Sequence, residues 1–329
     1  MTTTQYGSAE AVVDKIRAVL GDFKGYRALH ADGRLFCGWF QATERASDVC
    51  RAVHFSGQKI PVTIRLSKGG GDPFAHFGNT VGMAIRFYLP NGRFTNIVTL
   101  SQKLFVVNSM NQLQGMLDAG RPQAAGEGIN KAGLAQFIAA NPNTAAVIQM
   151  RRESPAPVSF ATTAFHAVHA FRFLNAANQE RVARIHFEPV AGVEGRPVEE
   201  LSQADTEILF QEINDRIAKS PVEYSLVLQF AEPQDPIDDA TAPWPEDRER
   251  LEIGRLSLVT PITEAEIGDP VMNHDPTVLT DGIEPTDDPI FQMRRGIYEV
   301  SAAQRTGGWH ACPFAHAAEG LIGTSTETR

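Results

Sequence analysis

The chain has few cysteines, no excess of basic residues and no long hydrophobic run. Its 329 residues include three cysteines, Cys37, Cys50 and Cys312, without Cys-x-x-Cys spacing. We therefore expect neither a disulfide framework nor a zinc site, and we expect a reducing compartment. The formal net charge of −9 at pH 7 argues against a nucleic-acid partner.

The sequence shows no signal for export or membrane insertion. Residues 1–12 lack a basic segment followed by an apolar run, and no apolar stretch reaches the length of a membrane span. We therefore expect a cytoplasmic protein without membrane contact. Hydrophobic residues make up 43% of the chain and charged residues 21%, which is typical of a soluble globular protein with a substantial core.

Alternating apolar and polar residues predict about eight strands, enough to close a barrel. Helical spacing predicts a helix within residues 9–20 and a helical, loop-rich region over residues 110–141. A capping-box pattern at residues 202–205 predicts the start of a further helix that runs to residue 219. The strand patterns cover residues 35–43, 61–67, 82–89, a run ending at 104–107, 160–174, 181–187, 224–230 and 256–260.

Residues 282–298 carry the clearest chemical signal. Arg294 and Tyr298 are four residues apart in a helical pattern, so their side chains share one face. A guanidinium beside a phenol lowers the phenol pKa, although such a pair is more often an ordinary helix contact. With its Gly-Ile-Glu-Pro lead-in, the stretch resembles the proximal haem segment of the haem catalases, and the resemblance implies that Tyr298 is the iron ligand.

Two segments near the N-terminus match the distal side of the same family. Arg27 and His30 lie in an Arg-x-x-His-x-x-Gly pattern, and Arg65 and Ser67 lie in a Pro-Val-x-x-Arg-x-Ser strand. Alone, such a histidine is more often an ordinary loop residue. The resemblance implies that His30 is the distal catalytic base and that Ser67 hydrogen-bonds to it. It also implies that Arg27 and Arg65 bind the haem propionates.

The resemblance assigns the remaining site residues. Phe105 aligns with a phenylalanine that flanks the haem. His169 and Asp288 take the places of a histidine and an aspartate that hold the arginine behind the tyrosinate, which is Arg294 here. Arg305 takes the place of a third arginine that contacts a propionate or supports the tyrosinate helix.

Three positions depart from the catalase pattern. Leu100, with Ser101 beside it, replaces a distal asparagine, and Asn79 replaces an aspartate of the access channel. Leu29 replaces the valine before the distal histidine. These differences disfavour efficient dismutation of hydrogen peroxide and favour a bulkier or organic substrate in a more apolar pocket.

The resemblance covers roughly residues 20–307 and implies an α+β, catalase-like, eight-stranded antiparallel β-barrel with surrounding helices and a buried haem b. We expect a single domain over residues 1–329. Its parts would be an N-terminal helix in residues 1–20, a haem-binding core in 21–305 and a tail in 306–329. A Cys-Pro dipeptide in the tail, at Cys312, is too short to indicate haem regulation.

The implied function is that of a peroxidase related to the catalases. It would reduce hydrogen peroxide or organic hydroperoxides through a ferryl intermediate, with a small-molecule electron donor and weak catalase activity, and we expect a homodimer. Three alternatives stay open at this point. They are a true small catalase in which Ser101 replaces the missing amide, a fatty-acid hydroperoxide isomerase and a haem-binding barrel without turnover.

Overall fold

The computed structural model describes residues 8–124, 126–200 and 206–307. The predicted capping box at 202–205 and the tail from residue 308 onward lie outside these residues. The longer helices are α1 Ala9–Leu20, α2 Met110–Gly120, α3 Lys131–Ala140, α4 Pro142–Glu153, α5 Ile208–Ile217 and α6 Pro289–Thr306. The longer strands are β1 Gly33–Ala42, β2 Lys59–Lys68, β3 Val81–Tyr88, β4 Phe94–Leu100, β5 Phe165–Leu174, β6 Glu180–Pro189, β7 Val222–Phe230 and β8 Arg250–Ile262. Shorter elements are the helical turns Ala46–Val49, Val53–Phe55, Pro90–Gly92, Phe160–Thr162, Val198–Glu200 and Glu264–Ile267, and the short strands Ala156–Pro157, Gly195–Arg196 and Ile283–Pro285.

The eight longer strands close into an antiparallel barrel, as predicted. Their order is β5-β4-β3-β2-β1-β8-β7-β6, and pairing between β5 and β6 completes the circle. The seam between β4 and β5 is short, because it consists of the Leu100–His166 pair, and Ile283–Pro285 continues along β5 beyond it. The β5–β6 hairpin turns at Asn178, whose φ of 58° suits an asparagine.

Three predictions about elements were wrong. The strand predicted over residues 160–174 begins at Phe165, because Phe160–Thr162 forms a helical turn that the Ser159 hydroxyl caps. The predicted strand run ending at Val107 stops at Leu100, because the Leu104 carbonyl accepts a hydrogen bond from Arg151 and the Phe105 N–H donates to the Ala240 carbonyl. The predicted helical, loop-rich region ends at residue 141, whereas the chain continues as helix α4, in which Pro142 suits the first turn because that turn needs no backbone N–H donor.

Two apolar clusters hold the fold together. Large aromatic side chains, including Phe40, Phe87 and Phe187, fill the barrel core. A second cluster joins α1, α2 and α6 through residues such as Val13, Met110 and Ile290, so that α6 is fixed beside the barrel. Within the described part of the chain, no helix has both the length and the apolarity needed to cross a membrane.

Candidate active site

One cavity of about 200 Å³ collects most of the predicted site residues. It is bounded by strands β2 to β5, helix α6 and the loop that precedes β1. Its wall contains two groups that lie far apart in sequence, one before residue 110 and one on α6. The predicted site residues that line it are Arg27, His30, Arg65, Ser67, Phe105, Arg294, Tyr298 and Arg305.

The start of helix α6 sets the direction of Arg294 and Tyr298. The Asp288 carboxylate caps the helix, since its Oδ1 accepts hydrogen bonds from two backbone N–H groups of the first turn at 2.8 and 3.4 Å. On the face that meets the cavity, Arg294 Nη2 donates to Tyr298 Oη at 2.8 Å. A permanently charged donor therefore holds the phenolic oxygen as an acceptor.

His169 lies behind the cavity wall rather than in it. Its Nδ1 is 2.6 Å from the second Asp288 oxygen, so the two residues that were expected to hold Arg294 contact each other. Burial is the main cause that lowers the pKa of His169, the Asp288 contact opposes it, and the charge of Arg294 lowers the pKa further. His169 Nε2 has no hydrogen-bond partner among the described residues. The predicted support of Arg294 by His169 is therefore absent as a direct hydrogen bond.

His30 faces the cavity from a strained backbone position. Its φ of 52° lies in the left-handed region, and its carbonyl accepts a hydrogen bond from Arg65 Nη1 at 2.9 Å. Its Nδ1 lies 3.1 Å from Ser67 Oγ, which orients the ring. Burial and then the charge of Arg65 lower the pKa of His30 to about 4, so the imidazole is neutral at pH 7 and able to accept a proton.

Gly82 leaves space for the side chains of His30 and Ser67, so a substitution at Gly82 tests the role of their contact. A Cβ at Gly82 would lie 2.8 Å from His30 Nδ1 and 2.9 Å from Ser67 Oγ. We expect Gly82→Ala to push the ring away and to slow the reaction of the haem-loaded protein with peroxide by about 10-fold or more, as measured by stopped-flow absorbance. Gly78→Ala is the matched control, because no atom of the described residues lies within 4 Å of a Cβ there. Equal rates for both variants would contradict the role of the His30–Ser67 contact.

Three arginines form a positive edge of the cavity, of which Arg65 is buried and Arg27 and Arg305 are half-buried. Arg27, Arg65 and Arg305 donate to backbone carbonyls, and none of them forms an ion pair with a described residue. Burial is the main cause that lowers the pKa of all three, that of Arg65 to about 10, and the charge of Glu264 opposes it in each case. Repulsion from Arg305 lowers the pKa of Arg27 and of Arg65 further. Buried charges need partners, so this edge fits a ligand with carboxylate groups, as haem has. The acceptors are the Met272 carbonyl for Arg27 at 2.7 Å, the His30 and Ala31 carbonyls for Arg65 at 2.9 and 3.2 Å, and the Val271 carbonyl for Arg305.

The positions that depart from the catalase pattern fall into two groups. Leu29 and Leu100 line the cavity and add apolar surface. Asn79 and Ser101 are absent from the described wall. The Ser101 hydroxyl accepts from a backbone N–H at 3.0 Å and donates to the Asn79 carbonyl at 3.2 Å, so it is occupied within the barrel rim. The suggestion that Ser101 replaces the missing distal amide therefore has no support in this geometry.

Some wall residues were missed by sequence reasoning. Met293 and Ile297 share the α6 face with Tyr298, and helical spacing could have identified them. Asn273 and His274 also line the cavity, but they come from an irregular loop. No local pattern marks such residues, because only the tertiary fold brings the loop to the arginine edge.

Comparisons with known proteins agree with this arrangement. The catalase family model matches residues 20–315. A catalase-related peroxidase from Synechococcus elongatus is 34% identical over 301 residues, which are 91% of this chain and 89% of that protein. Another from Mycolicibacterium paratuberculosis is 33% identical over 301 residues, 91% of this chain and 95% of that protein.

The similarity to solved structures concerns the fold. Catalase A from Saccharomyces cerevisiae matches with a TM-score of 0.76 at 17% identity, over 88% of this chain and 64% of that chain. A fungal catalase matches with the same TM-score at 18% identity, over 88% of this chain and 62% of that chain. The chain thus spans less than two thirds of these larger proteins.

Proposed function

This chain belongs to the catalase family, which is haem-dependent and acts on peroxide, and we propose that its own cavity holds haem b for the reduction of hydrogen peroxide or organic hydroperoxides. One observation carries the proposal. A neutral base paired with a hydroxyl, His30 with Ser67, shares one cavity with a tyrosine whose oxygen is held by an arginine, Tyr298 with Arg294.

The residues that would hold the cofactor follow from their chemistry. Tyr298, as phenolate, would be the iron ligand, and Arg294 would stabilise the negative oxygen through its hydrogen bond. The positive edge of Arg27, Arg65 and Arg305 would pair with the haem carboxylates. Phe105 would pack near the porphyrin. The bound haem iron supplies the redox chemistry that breaks the peroxide O–O bond.

His30 would manage the proton during that cleavage. Its neutral imidazole accepts the proton from one peroxide oxygen and returns it to the departing oxygen, which leaves as water or as an alcohol. Ser67 keeps the ring in place, since its Oγ is 3.1 Å from His30 Nδ1. The electrons that restore the resting protein would come from a small-molecule donor.

The cavity wall favours a peroxidase with weak catalase activity. Leu100 offers no hydrogen bond to position a second peroxide, and the Ser101 hydroxyl is occupied elsewhere. Leu29 and Leu100 also provide apolar contact for the organic part of a hydroperoxide. We therefore expect donor oxidation to exceed oxygen release per peroxide consumed.

Optical spectra of the purified protein test the proposal. The wild type should have a high-spin ferric haem spectrum, and Tyr298→Phe should change that spectrum or lose the haem, because the iron ligand is gone. Tyr88→Phe is the control, since the Tyr88 hydroxyl pairs with Thr63 at 2.8 Å away from the cavity wall. A wild type without haem, or a haem spectrum that ignores Tyr298→Phe, would refute the assignment.

A further inference from the structure

His274 is a buried polar side chain that the arrangement above leaves unused. It is 4% exposed and lines the cavity. Neither of its ring nitrogens has a hydrogen-bond partner among the described residues. An imidazole that is buried without partners is costly, and the His274 ring lines a cavity in which a ligand atom can supply the missing bond.

The loop that carries His274 is tied to the positive edge. Two consecutive backbone carbonyls of this loop accept hydrogen bonds from the arginines. The Val271 carbonyl accepts from Arg305, and the Met272 carbonyl accepts from Arg27. The Asn273 carbonyl accepts from Arg86 Nη2 at 2.5 Å, while Arg86 Nη1 donates to an Asp269 carboxylate oxygen at 2.6 Å. Arg86 thus has an ion-pair partner in the loop, whereas Arg27, Arg65 and Arg305 form no ion pair with any described residue and feel the charge of Glu264 only at longer range.

From this arrangement we propose that His274 is a further cofactor-binding residue, which donates a ring N–H hydrogen bond to a haem carboxylate at the edge formed by Arg27, Arg65 and Arg305. The inference rests on the proposed function, because it requires haem in this cavity. The observations that carry it are the place of His274 in the wall, its burial and its two unpartnered nitrogens.

The electrostatic surroundings fit a neutral donor. Burial is the main cause that lowers the pKa of His274, and the charges of Arg86, Arg27 and Arg65 lower it further. A contact with the Met272 backbone opposes them but does not reach hydrogen-bond geometry. A neutral imidazole still carries one N–H, and the anionic carboxylate is the acceptor that the positive edge already attracts. Hydrogen bonds to charged groups are worth more than neutral ones, so the loss of this bond should be measurable in haem affinity.

Haem release from the holoprotein tests the inference without reference to activity. Transfer of haem to excess apomyoglobin is followed optically for the wild type, His274→Phe and His274→Gln. We expect His274→Phe to release haem about 10- to 100-fold faster. His274→Gln should recover much of the difference, because its amide keeps an N–H donor. With haem dimethyl ester, which lacks the anionic carboxylates, wild type and His274→Phe should differ by less than about threefold.

His54→Phe is the matched control for lost histidine chemistry. His54 is also buried with both nitrogens unpartnered, but it packs among Phe40, Phe55 and Phe87 rather than in the cavity wall. Its replacement should leave haem release unchanged. Equal acceleration in His54→Phe, equal acceleration with the dimethyl ester, or no rescue by His274→Gln would overturn the carboxylate bond.

Different results would refute the His274 role and the proposed function. If the wild type shows a Tyr298-dependent haem spectrum but His274→Phe releases haem at the wild-type rate, only the His274 role is refuted. A low-spin wild-type spectrum that becomes high-spin in His274→Phe would make His274 an iron ligand and would also refute the carboxylate bond. A wild type that holds no haem would refute both proposals.

Discussion

The His30→Gln variant of the haem-loaded protein is expected to react with hydrogen peroxide about 10² to 10⁴ times more slowly than the wild type, because a general base is lost. The glutamine amide can still hydrogen-bond to Ser67, but it accepts no proton at neutral pH. The change therefore removes the base and keeps a polar side chain in place. The measurement is the second-order rate constant from stopped-flow absorbance in excess peroxide.

A second variant separates the proton-accepting role of His30 from the orienting role of Ser67. Ser67→Ala keeps the imidazole and removes the hydroxyl 3.1 Å from His30 Nδ1, so it should cost less, about 10-fold. A His30→Gln rate within fivefold of the wild type would show that another group moves the proton. A Ser67→Ala rate as low as that of His30→Gln would instead make the orientation of the ring the decisive factor.

The pH dependence of the same rate constant should also identify His30 as the base. The pKa of His30 is lowered to about 4, so the ring is neutral above that value and protonated below it. The wild-type rate should therefore hold between pH 7 and pH 5 and fall as the pH drops below about 4, about tenfold per unit. The His30→Gln rate should lack this fall. Mixing protein from pH 7 into acid in the stopped-flow cell allows the reading before the chain unfolds.

Sequence patterns predicted most of the strands, although β2, β3 and β5 are buried on both faces over much of their length. Strand β2 was predicted over residues 61–67 and is observed as Lys59–Lys68. The i, i+4 spacing of Arg294 and Tyr298 also predicted their contact, since that contact depends on one helix alone. Asp288 and His169 are 119 positions apart, and no local pattern predicted their contact; only the family resemblance placed both residues behind Arg294.

Features that depend on distant packing were not predictable in this way. The apolar residues Leu104 to Val107 have strand-like composition, but their backbone groups pair with Arg151 and with the Ala240 loop. The sequence left the Ser101 hydroxyl open as a group that could contact a substrate, but in the structure it hydrogen-bonds to two backbone groups. The hydrogen-bond partners of a side chain depend on its neighbours in the tertiary structure. The periodicity of the sequence does not predict those neighbours.

Acid should destabilise the fold strongly, owing to buried histidines outside the cavity. Burial lowers the pKa of His54 and of His186 to about 3, while an unfolded histidine titrates near 6.5. Below pH 6.5 the unfolded chain binds protons that the folded chain does not, so stability present at neutral pH is lost as the pH falls towards 3. Each residue should cost about 2 kcal/mol between pH 7 and pH 5, and the pair about 4 kcal/mol. That is a large share of the total stability of a typical domain.

Urea unfolding at pH 7 and pH 5 measures the total loss, to which other buried histidines such as His30 also contribute, and His54→Phe isolates the contribution of His54. The His54 ring lies 4.2 Å from the Phe55 ring and 5.0 Å from the Phe87 ring between centroids, so phenylalanine suits the surroundings and removes two unpartnered nitrogens. We expect its pH 7 to pH 5 difference to be about 2 kcal/mol smaller than in the wild type, because one titrating group is gone. Tyr88→Phe, which removes a hydroxyl and no titrating histidine, should keep the wild-type difference. An unchanged difference in His54→Phe would mean that the folded chain also protonates His54, and the aromatic core around it would then have to open in acid without global unfolding.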